Sequence, residues 1–280
     1  MTDAADWMRG SDRPPVELHT DRAHAARVYD YLLGGKTNYA ADRLAAEEAL
    51  AVLPNAASTA RHNRAFMHRV ARHLAVRAGI HQFLDIGTGI PTSPNLHEVV
   101  QAVVPHARVV YADNDPIVLT HSRALHVSHP GGRTAYVHGD LCDPEAILAS
   151  PELRETLDLE RPVALTLVAV LHWLPRDQDP YDIVRRLTDR LAPGSYLALS
   201  HVTADFEHDI DRISETFERT GSQVNARTRA EVARFFDGLE LIEPGIEVVQ
   251  RWRPEEGDPT LLDQVGDAQV PLYGGVARKP

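Results

Sequence analysis

Residues 83–89 read Phe83-Leu84-Asp85-Ile86-Gly87-Thr88-Gly89, a short apolar run that ends in an Asp-x-Gly-x-Gly turn. The run predicts a buried strand, and a helix-length segment at 95–104 follows it. The two glycines let the backbone pass close to a ligand at the carboxyl end of the strand, where open α/β sheets bind their ligands. This stretch therefore predicts one strand of an α/β sheet and the edge at which a ligand binds.

Strand-length and helix-length segments alternate beyond this stretch. Further strands are predicted at 108–112, 134–137, 163–168 and 195–200, with helices after Pro116, within 144–157 and at 180–191. This alternation indicates a doubly wound α/β domain, a mostly parallel sheet covered by helices on both faces. The C-terminal part adds a helix around Ile210, Ile213 and Phe217, a helix at 228–236 that opens with the capping box Thr228-x-x-Glu231, and two strands, within 239–252 and at 273–278.

Three helical segments precede the first strand, at about 21–33, 39–53 and 58–79. Gly34-Gly35 ends the first, Pro54 closes the second, and Ser58 can cap the third. Residues 1–19 show no periodicity and predict a loose arm. We therefore expect an arm at 1–19, an N-terminal helical cap at 20–79 and a sheet domain at 80–280.

The composition excludes several classes of protein. The 280 residues carry 29 basic and 40 acidic side chains, a formal net charge of −11, which disfavours duplex nucleic acid as the main partner. The single cysteine, Cys142, cannot form an internal disulfide, and no histidine spacing predicts a metal site. No apolar run approaches the roughly 20 residues of a membrane helix, and no signal-peptide pattern opens the chain, so we expect a cytoplasmic protein.

Two acidic residues stand where the first two strands end. Asp85 precedes the glycine turn, and its carboxylate would repel a pyrophosphate but attract an ammonium group. Thr92 also stands where a dinucleotide motif would place its third small residue. Asp113 lies at the tip of the second strand, 24 residues beyond Gly89, and there it can accept hydrogen bonds from both hydroxyls of a ribose or serve as a turn residue. For Asp115, which precedes Pro116, we expect the turn or cap role.

The third strand ends in Asp140-Leu141, where the carboxylate can accept from an adenine amine and the leucine can pack on the ring. Together the three acidic strand ends predict one pocket for a nucleoside that carries an amino-acid group, as S-adenosylmethionine does. A nicotinamide-dependent oxidoreductase would use a related sheet, but Asp85 and Thr92 weigh against it.

These motifs resemble the class I S-adenosylmethionine-dependent methyltransferases from about Gly79 to the C-terminus, where the strand at 273–278 looks like their antiparallel last strand. The whole chain is similar to a bacterial family of S-adenosyl methyltransferases of unassigned substrate, through residues 28–39 (VYDYLLGGKTNY), 84–92 (LDIGTGIPT) and 111–116 (YADNDP). The bias of the basic residues toward arginine also indicates a bacterial source, with a GC-rich genome. The resemblance implies a Rossmann-like, seven-stranded sheet under an N-terminal helical cap, with S-adenosylmethionine as cofactor.

The resemblance also implies roles for the residues that match its motifs. Asp85, Gly87 and Gly89 would line the methionine end, Asp113 would hold the ribose, and Asp140 with Leu141 would hold the adenine. Asn114 would flank the adenine, Thr88 would lend a hydroxyl or cap a helix, and Ala169 would open a loop beside the reactive methyl group.

Residues for methyl transfer itself are less distinct. His172, in the loop after the fourth strand, is the first candidate for a general base and His201 the second, although His172 can equally pack or cap the following turn. Tyr29, Asn38 and Tyr39 are candidates for the acceptor site, with core tyrosines and an N-cap as the alternative, and Asn63 and Arg64 join them. The arginines at 61–77 spread around their helix and predict a solvated surface.

We therefore expect a methyltransferase that acts on a small-molecule acceptor, with a non-catalytic S-adenosylmethionine sensor as the alternative. The expected partners include no duplex nucleic acid and no membrane, and a homodimer is allowed for. No motif specifies the identity of the acceptor.

Overall fold

Strand β1 (Gln82–Ile86) is buried along its whole length and lies inside the sheet between two parallel neighbours. The chain is described here from a computed structural model, which covers residues 18–125, 127–175, 177–206, 224–255, 260 and 265–280. Strands β2 (Arg108–Asp113) and β3 (Arg133–His138) continue the sheet on one side of β1, and β4 (Ala164–Val168) and β5 (Tyr196–Val202) continue it on the other. All five strands are parallel, as the alternating pattern predicts.

The C-terminal strand β8 (Leu272–Arg278) inserts antiparallel beside β5, in the position that the family resemblance implies. It also pairs with the two-residue strands β6 (Glu240–Leu241) and β7 (Glu247–Val248). Within the described residues the sheet therefore follows the seven-strand path β3-β2-β1-β4-β5-β8-β6, with β7 as an eighth strand off that path. This confirms the predicted doubly wound, mostly parallel, Rossmann-like sheet.

Short helices connect the strands and cover the sheet. They are α4 (Leu96–Gln101), α5 (Pro116–Leu125), α6 (Pro144–Ala149), α7 (Pro151–Thr156), α8 (Pro180–Asp189) and α9 (Arg229–Ala233). The single helix predicted within 144–157 is wrong, because Ser150 is extended (φ −60°, ψ 139°) and separates α6 from α7. Pro151 explains the break, since a proline disfavours helical backbone in the residue before it.

The start of α9 is confirmed: the Thr228 side chain accepts a hydrogen bond from Glu231 N, and the Glu231 carboxylate accepts one from Thr228 N at 2.8 Å. The helix expected around Ile210 lies outside the described residues.

The N-terminal helices are α1 (Ala25–Leu32), α2 (Ala40–Val52) and α3 (Ala56–Val76). Helix α3 begins directly after Asn55, so the prediction that Ser58 caps it is wrong. The apolar face of α3 joins the same core as the strands, whereas α1 and α2 pack on each other around Val28, Ala45 and Ala46. No helix in the described parts of the chain is long and apolar enough to cross a bilayer.

One arginine of α3 contradicts the predicted solvated surface. The Arg69 side chain is only 2% exposed, with Nε donating to the Trp252 carbonyl at 2.9 Å and Nη2 to the Val249 carbonyl at 2.6 Å. These bonds compensate for the burial of the guanidinium, as buried polar groups require. Trp252 is itself fully buried and packs edge-on against Phe66 at 5.6 Å between ring centroids.

Gly274 of β8 lets α3 approach the sheet, so a larger side chain at this position should destabilise the fold. A Cβ at Gly274 would lie 2.7 Å from the Phe66 ring, so Gly274→Ala should lower the free energy of unfolding by about 1–3 kcal/mol through overpacking. Urea denaturation measures this difference. Gly266→Ala is the control, because among the described residues the nearest atom to a Cβ there is Gln269 Oε1, at 3.7 Å. Equal stability of the two variants would contradict the prediction.

Candidate functional site

A cavity of about 640 Å³ opens at the carboxyl ends of β1, β2, β3 and β4. Its wall on the sheet side consists of residues 85–89, 113–114, 139–142, 168–170 and 173–175. The opposite wall consists of residues 23–26 and Tyr29 from the region of α1, and of Asn63, Arg64 and Met67 from α3. The glycine turn after β1 therefore marks the site, as the sequence predicts for an open α/β sheet.

The structure brings the predicted cofactor residues together. All nine line this one cavity, namely Asp85, Gly87, Thr88, Gly89, Asp113, Asn114, Asp140, Leu141 and Ala169. The side chains of Asp85 and Asp113 are buried, whereas Asp140 is exposed and accepts a hydrogen bond from Cys142 N at 2.9 Å. The three acidic strand ends thus differ in how far they are buried.

Asp85 is held by the neighbouring strand. It pairs in register with Thr166 of β4, whose hydroxyl donates to Asp85 Oδ1 at 2.5 Å. Burial raises the pKa of Asp85, while the hydrogen bonds from Thr166 and Thr88 and the charge of Arg64 partly oppose that rise. A cation bound in the cavity would therefore face a carboxylate that burial shields from water.

Gly87, two residues on, has φ +75°, and a Cβ there would lie 2.3 Å from the Val170 side chain. Only glycine accommodates both the left-handed backbone and this close approach of the β4 loop.

Asp113 joins two strand tips. Its Oδ2 accepts from Gly89 N and its Oδ1 from Asp115 N, each at 2.9 Å. Burial raises the pKa of Asp113 and these two bonds oppose the rise. Because a carboxylate has about four acceptor positions, Asp113 keeps positions for a further ligand.

Asp115 has the turn role expected from the sequence. Its Oδ1 accepts from Ile117 N at 2.8 Å in the first turn of α5. Its Oδ2 lies 3.3 Å from His24 Nδ1 and 3.6 Å from Arg27 Nε, which connects the tip of β2 to α1.

Ala169 has a strained backbone at the tip of β4. Its φ of +54° lies in the left-handed region, which an alanine adopts at a cost of about 1–3 kcal/mol. The Ala169 N–H donates to Ser200 of β5, with distances of 3.0 Å to Oγ and 3.2 Å to the carbonyl oxygen. Such strain is typical of ligand sites and fits the position of Ala169 in the cavity wall.

The structure does not bring the predicted general bases, His172 and His201, to the cavity. Neither histidine lines the cavity, because Trp173 occupies the cavity-facing position of the turn while His172 is buried behind it. His201 is fully buried; its Nδ1–H donates to the Val202 carbonyl at 2.7 Å, and its Nε2 accepts from Arg227 at 2.8 Å. Burial lowers the pKa of His201 to about 3 and that of His172 well below its usual value.

Of the three predicted acceptor residues, only Tyr29 lines the cavity. Asn38 instead donates from Nδ2 to Asp30 Oδ2 at 2.8 Å, and Tyr39 precedes α2, where its backbone N–H donates to Asp42 at 2.8 Å. Asn38 and Tyr39 lie away from the cavity because the loop after Gly35 folds back on the buried carboxylate of Asp30 rather than toward the sheet.

Several lining residues were not singled out as such from the sequence. His24, Met67, Val170 and Trp173 belong to this group, and Arg64 was assigned both to a solvated surface and to the acceptor site. The spacing of Asn63 and Met67 places their side chains on one face of α3, a signal that could have identified this wall.

Comparison with known proteins identifies the family. A model of the family Methyltransf_19, described as S-adenosyl methyltransferase, matches residues 11–280. The chain belongs to this S-adenosyl methyltransferase family. It is therefore an S-adenosylmethionine-dependent methyltransferase, and the cofactor predicted from the acidic strand ends is confirmed. No match is found among the curated proteins.

Solved structures support the same assignment. A DUF574 family protein from Streptomyces avermitilis is 50% identical with a TM-score of 0.90, and the match covers 94% of this chain and 100% of that one. A protein from Thermobifida fusca, assigned provisionally to the methyltransferases, is 40% identical with a TM-score of 0.84, over 96% and 99% of the two chains. The plantazolicin methyltransferase BamL, at 10% identity, TM-score 0.52 and coverage of 91% and 96%, shows likeness of fold alone.

The buried histidine pair of this methyltransferase makes its stability depend on pH. The unfolded-state pKa of a histidine is about 6.5 and that of folded His201 is about 3, so between these values the unfolded chain binds one more proton. Stability should therefore fall as pH drops below about 6.5, by up to ~1.4 kcal/mol per pH unit for His201. Urea unfolding at pH 7.5, 6.5 and 5.5 measures this slope.

The slope should decrease in His201→Gln, whose amide oxygen can still accept from Arg227. His121→Gln, at a half-buried position on α5, is the control and should keep the slope of the wild type. A slope in His201→Gln equal to that of the control would contradict the assignment.

Proposed function

We propose that this methyltransferase transfers the methyl group of S-adenosylmethionine to a small-molecule acceptor bound between the helical cap and the tip of β4. The observation that carries the proposal is the convergence of Asp85, Asp113 and Asp140 on one cavity, in the order of the strands that present them. A cavity of about 640 Å³ lies within the range typical of small-molecule sites. The net charge of −11 supports an acceptor other than nucleic acid.

The methionine end fits a zwitterion. Asp85 offers a buried carboxylate for the ammonium group, and Arg64 offers a cation for the carboxylate of the amino acid. The Arg64 guanidinium is oriented by the carbonyls of Thr92 and Pro94, to which its Nη2 donates. Its charge also opposes the rise in the Asp85 pKa. Asp85 and Arg64 therefore offer opposite charges to the ammonium and the carboxylate of one amino-acid group.

The nucleoside end fits the remaining lining residues. The free acceptor positions of Asp113 suit the two ribose hydroxyls, and the exposed carboxylate of Asp140 suits an adenine amine. Leu141 is buried beside Asp140 and provides an apolar surface for the adenine ring.

The cofactor supplies a methyl group on a sulfonium, which is displaced in line by the acceptor. The contribution of this chain is position, since holding the two reactants in line removes much of the barrier without a covalent intermediate. Val170, Trp173 and Met67 line the cavity with apolar surface and so exclude water around the reacting groups. Because His172 and His201 are sequestered, neither supplies the base for an acceptor that must lose a proton.

The ribose assignment is tested by calorimetric titration with S-adenosylmethionine and S-adenosylhomocysteine. Asp113→Ala should weaken the binding of both ligands by about 10- to 150-fold, which corresponds to the ~1.5–3 kcal/mol that hydrogen bonds to a buried charge contribute. Asp189→Ala, at the exposed end of α8, is the control. Absence of binding to the wild type would overturn the proposal. If the wild type binds the cofactor but methylates no member of a panel of small-molecule acceptors, the result would favour a binding protein without catalysis.

The carboxylate assignment of Arg64 has its own signature. Arg64→Gln should weaken the binding of S-adenosylmethionine by at least about 10-fold. Decarboxylated S-adenosylmethionine lacks the carboxylate that Arg64 would bind, so it should bind wild type and variant equally. Arg61→Gln on the exposed face of α3 is the matched control. If both ligands lose affinity to the same extent in Arg64→Gln, Arg64 supports the cavity without binding the carboxylate.

A further inference from the structure

The turn after β4 forms part of the cavity wall, through Trp173, Leu174 and Pro175. The turn itself is a single 3₁₀ turn, Leu171–Trp173, and it closes through a long bond, from Leu174 N to the Leu171 carbonyl at 3.4 Å. At Leu174 the backbone is already extended (φ −63°, ψ 141°). Because 3₁₀ hydrogen bonds have poor geometry, one such turn needs bonds from elsewhere in the fold to keep a defined position.

Asn225 bonds to this turn at two points. Its backbone N–H donates to the His172 carbonyl at 2.9 Å, and its side-chain Nδ2 donates to the Leu174 carbonyl at 2.8 Å. These two carbonyls belong to the residues on either side of Trp173. One asparagine therefore holds the backbone on both sides of a tryptophan that lines the cavity, although it lies 51 residues beyond Leu174 in the chain.

The bond to Leu174 requires a donor on the side chain of residue 225. A backbone carbonyl can only accept, so the group of Asn225 that faces Leu174 is the NH₂ of the side-chain amide. An aspartate has nearly the same shape, but an ionised carboxylate only accepts hydrogen bonds. An alanine has no polar atom on its side chain, whereas the backbone N–H that bonds to His172 is present in all three residues.

The position of Asn225 is itself fixed by β5. Two residues further along the chain, Arg227 N donates to the Val202 carbonyl at 3.1 Å, and Arg227 Nη1 donates to His201 Nε2 at 2.8 Å. Both acceptors belong to the last two residues of β5. Residues 225–227 thus connect the cavity wall after β4 to the end of the neighbouring strand.

We propose that Asn225 is a positioning residue for methyl transfer: its two hydrogen bonds hold Trp173 in the cavity wall and thereby set the affinity for S-adenosylmethionine. Asn225 is not among the described residues that line the cavity, so it acts through Trp173 and not by contact with the ligand. This inference rests on the proposed function, because it concerns the same cavity and the same cofactor.

The test uses the full chain labelled with 5-fluorotryptophan. The sequence contains three tryptophans, Trp7, Trp173 and Trp252, and Trp173→Phe assigns the ¹⁹F resonance of Trp173. In Asn225→Ala this resonance should shift or broaden, while that of the fully buried Trp252 stays in place and reports an intact core. Calorimetric titration of the same variant with S-adenosylmethionine should show about 2- to 12-fold weaker binding, which corresponds to one hydrogen bond of ~0.5–1.5 kcal/mol.

Asn225→Asp separates the hydrogen bond from the space that the side chain fills. This variant keeps the shape of asparagine and loses the donor, so it should weaken S-adenosylmethionine at least as much as Asn225→Ala does. If residue 225 only filled space, Asn225→Asp would behave as the wild type. Asn38→Ala is the matched control, because it removes an amide that donates to Asp30 at 2.8 Å, away from the cavity. It should keep both the Trp173 resonance and the affinity of the wild type.

Titration of the wild type comes first and separates the two proposals. If the wild type does not bind S-adenosylmethionine, the proposed function fails and this inference with it. If the wild type binds it, an unchanged Trp173 resonance or an unchanged affinity in the two Asn225 variants overturns only this inference, as does wild-type behaviour of Asn225→Asp. Loss of the Trp252 resonance in both variants would assign Asn225 to the stability of the fold and would also overturn it.

Discussion

The carboxylate of Asp113 is the contact on which the geometry of the cavity depends. One oxygen accepts from the glycine turn after β1 and the other from the turn after β2, so a single buried side chain sets the spacing of two strand tips. Burial of this charge is unfavourable, and the two backbone bonds offset part of that cost. Asp115 extends the arrangement, since it bonds to the first turn of α5 and faces His24 and Arg27 of the cap.

Two polar connections link α1 and the residue before it to the sheet. One runs through Asp115 after β2, and the other runs through Ser200, Asn63 and Tyr29 beside the tip of β4. Helices α1 and α2 form a small apolar cluster of their own, and Ala26 of α1 also packs against Ile90, Ile117 and Val118, whereas α3 shares the core of the sheet. The hydrogen bonds of Ser200, Asn63 and Tyr29 have stricter requirements for direction than apolar contacts, so they specify where α1 sits as well as that it packs.

The sequence predicts the features that arise from local pattern. Buried strands, the glycine turn and acidic strand tips each depend on a few consecutive residues, and the parallel order then brings Asp85, Asp113 and Asp140 to one edge. The errors concern side chains whose direction is set by distant partners. The Arg69 guanidinium donates to carbonyls about 180 residues away in the chain, and His201 Nε2 accepts from Arg227. No local spacing encodes such partners, and the same holds for the loop that folds back on Asp30.

The left-handed backbone of Ala169 has a consequence for engineering this protein. A glycine at residue 169 would adopt φ +54° without steric conflict, and replacing a strained residue in this way relieves energy stored in the fold. Ala169, however, lines the cavity beside Val170. Selection for thermostability alone would therefore favour a change in the cavity wall itself, which is where gains in stability commonly cost function.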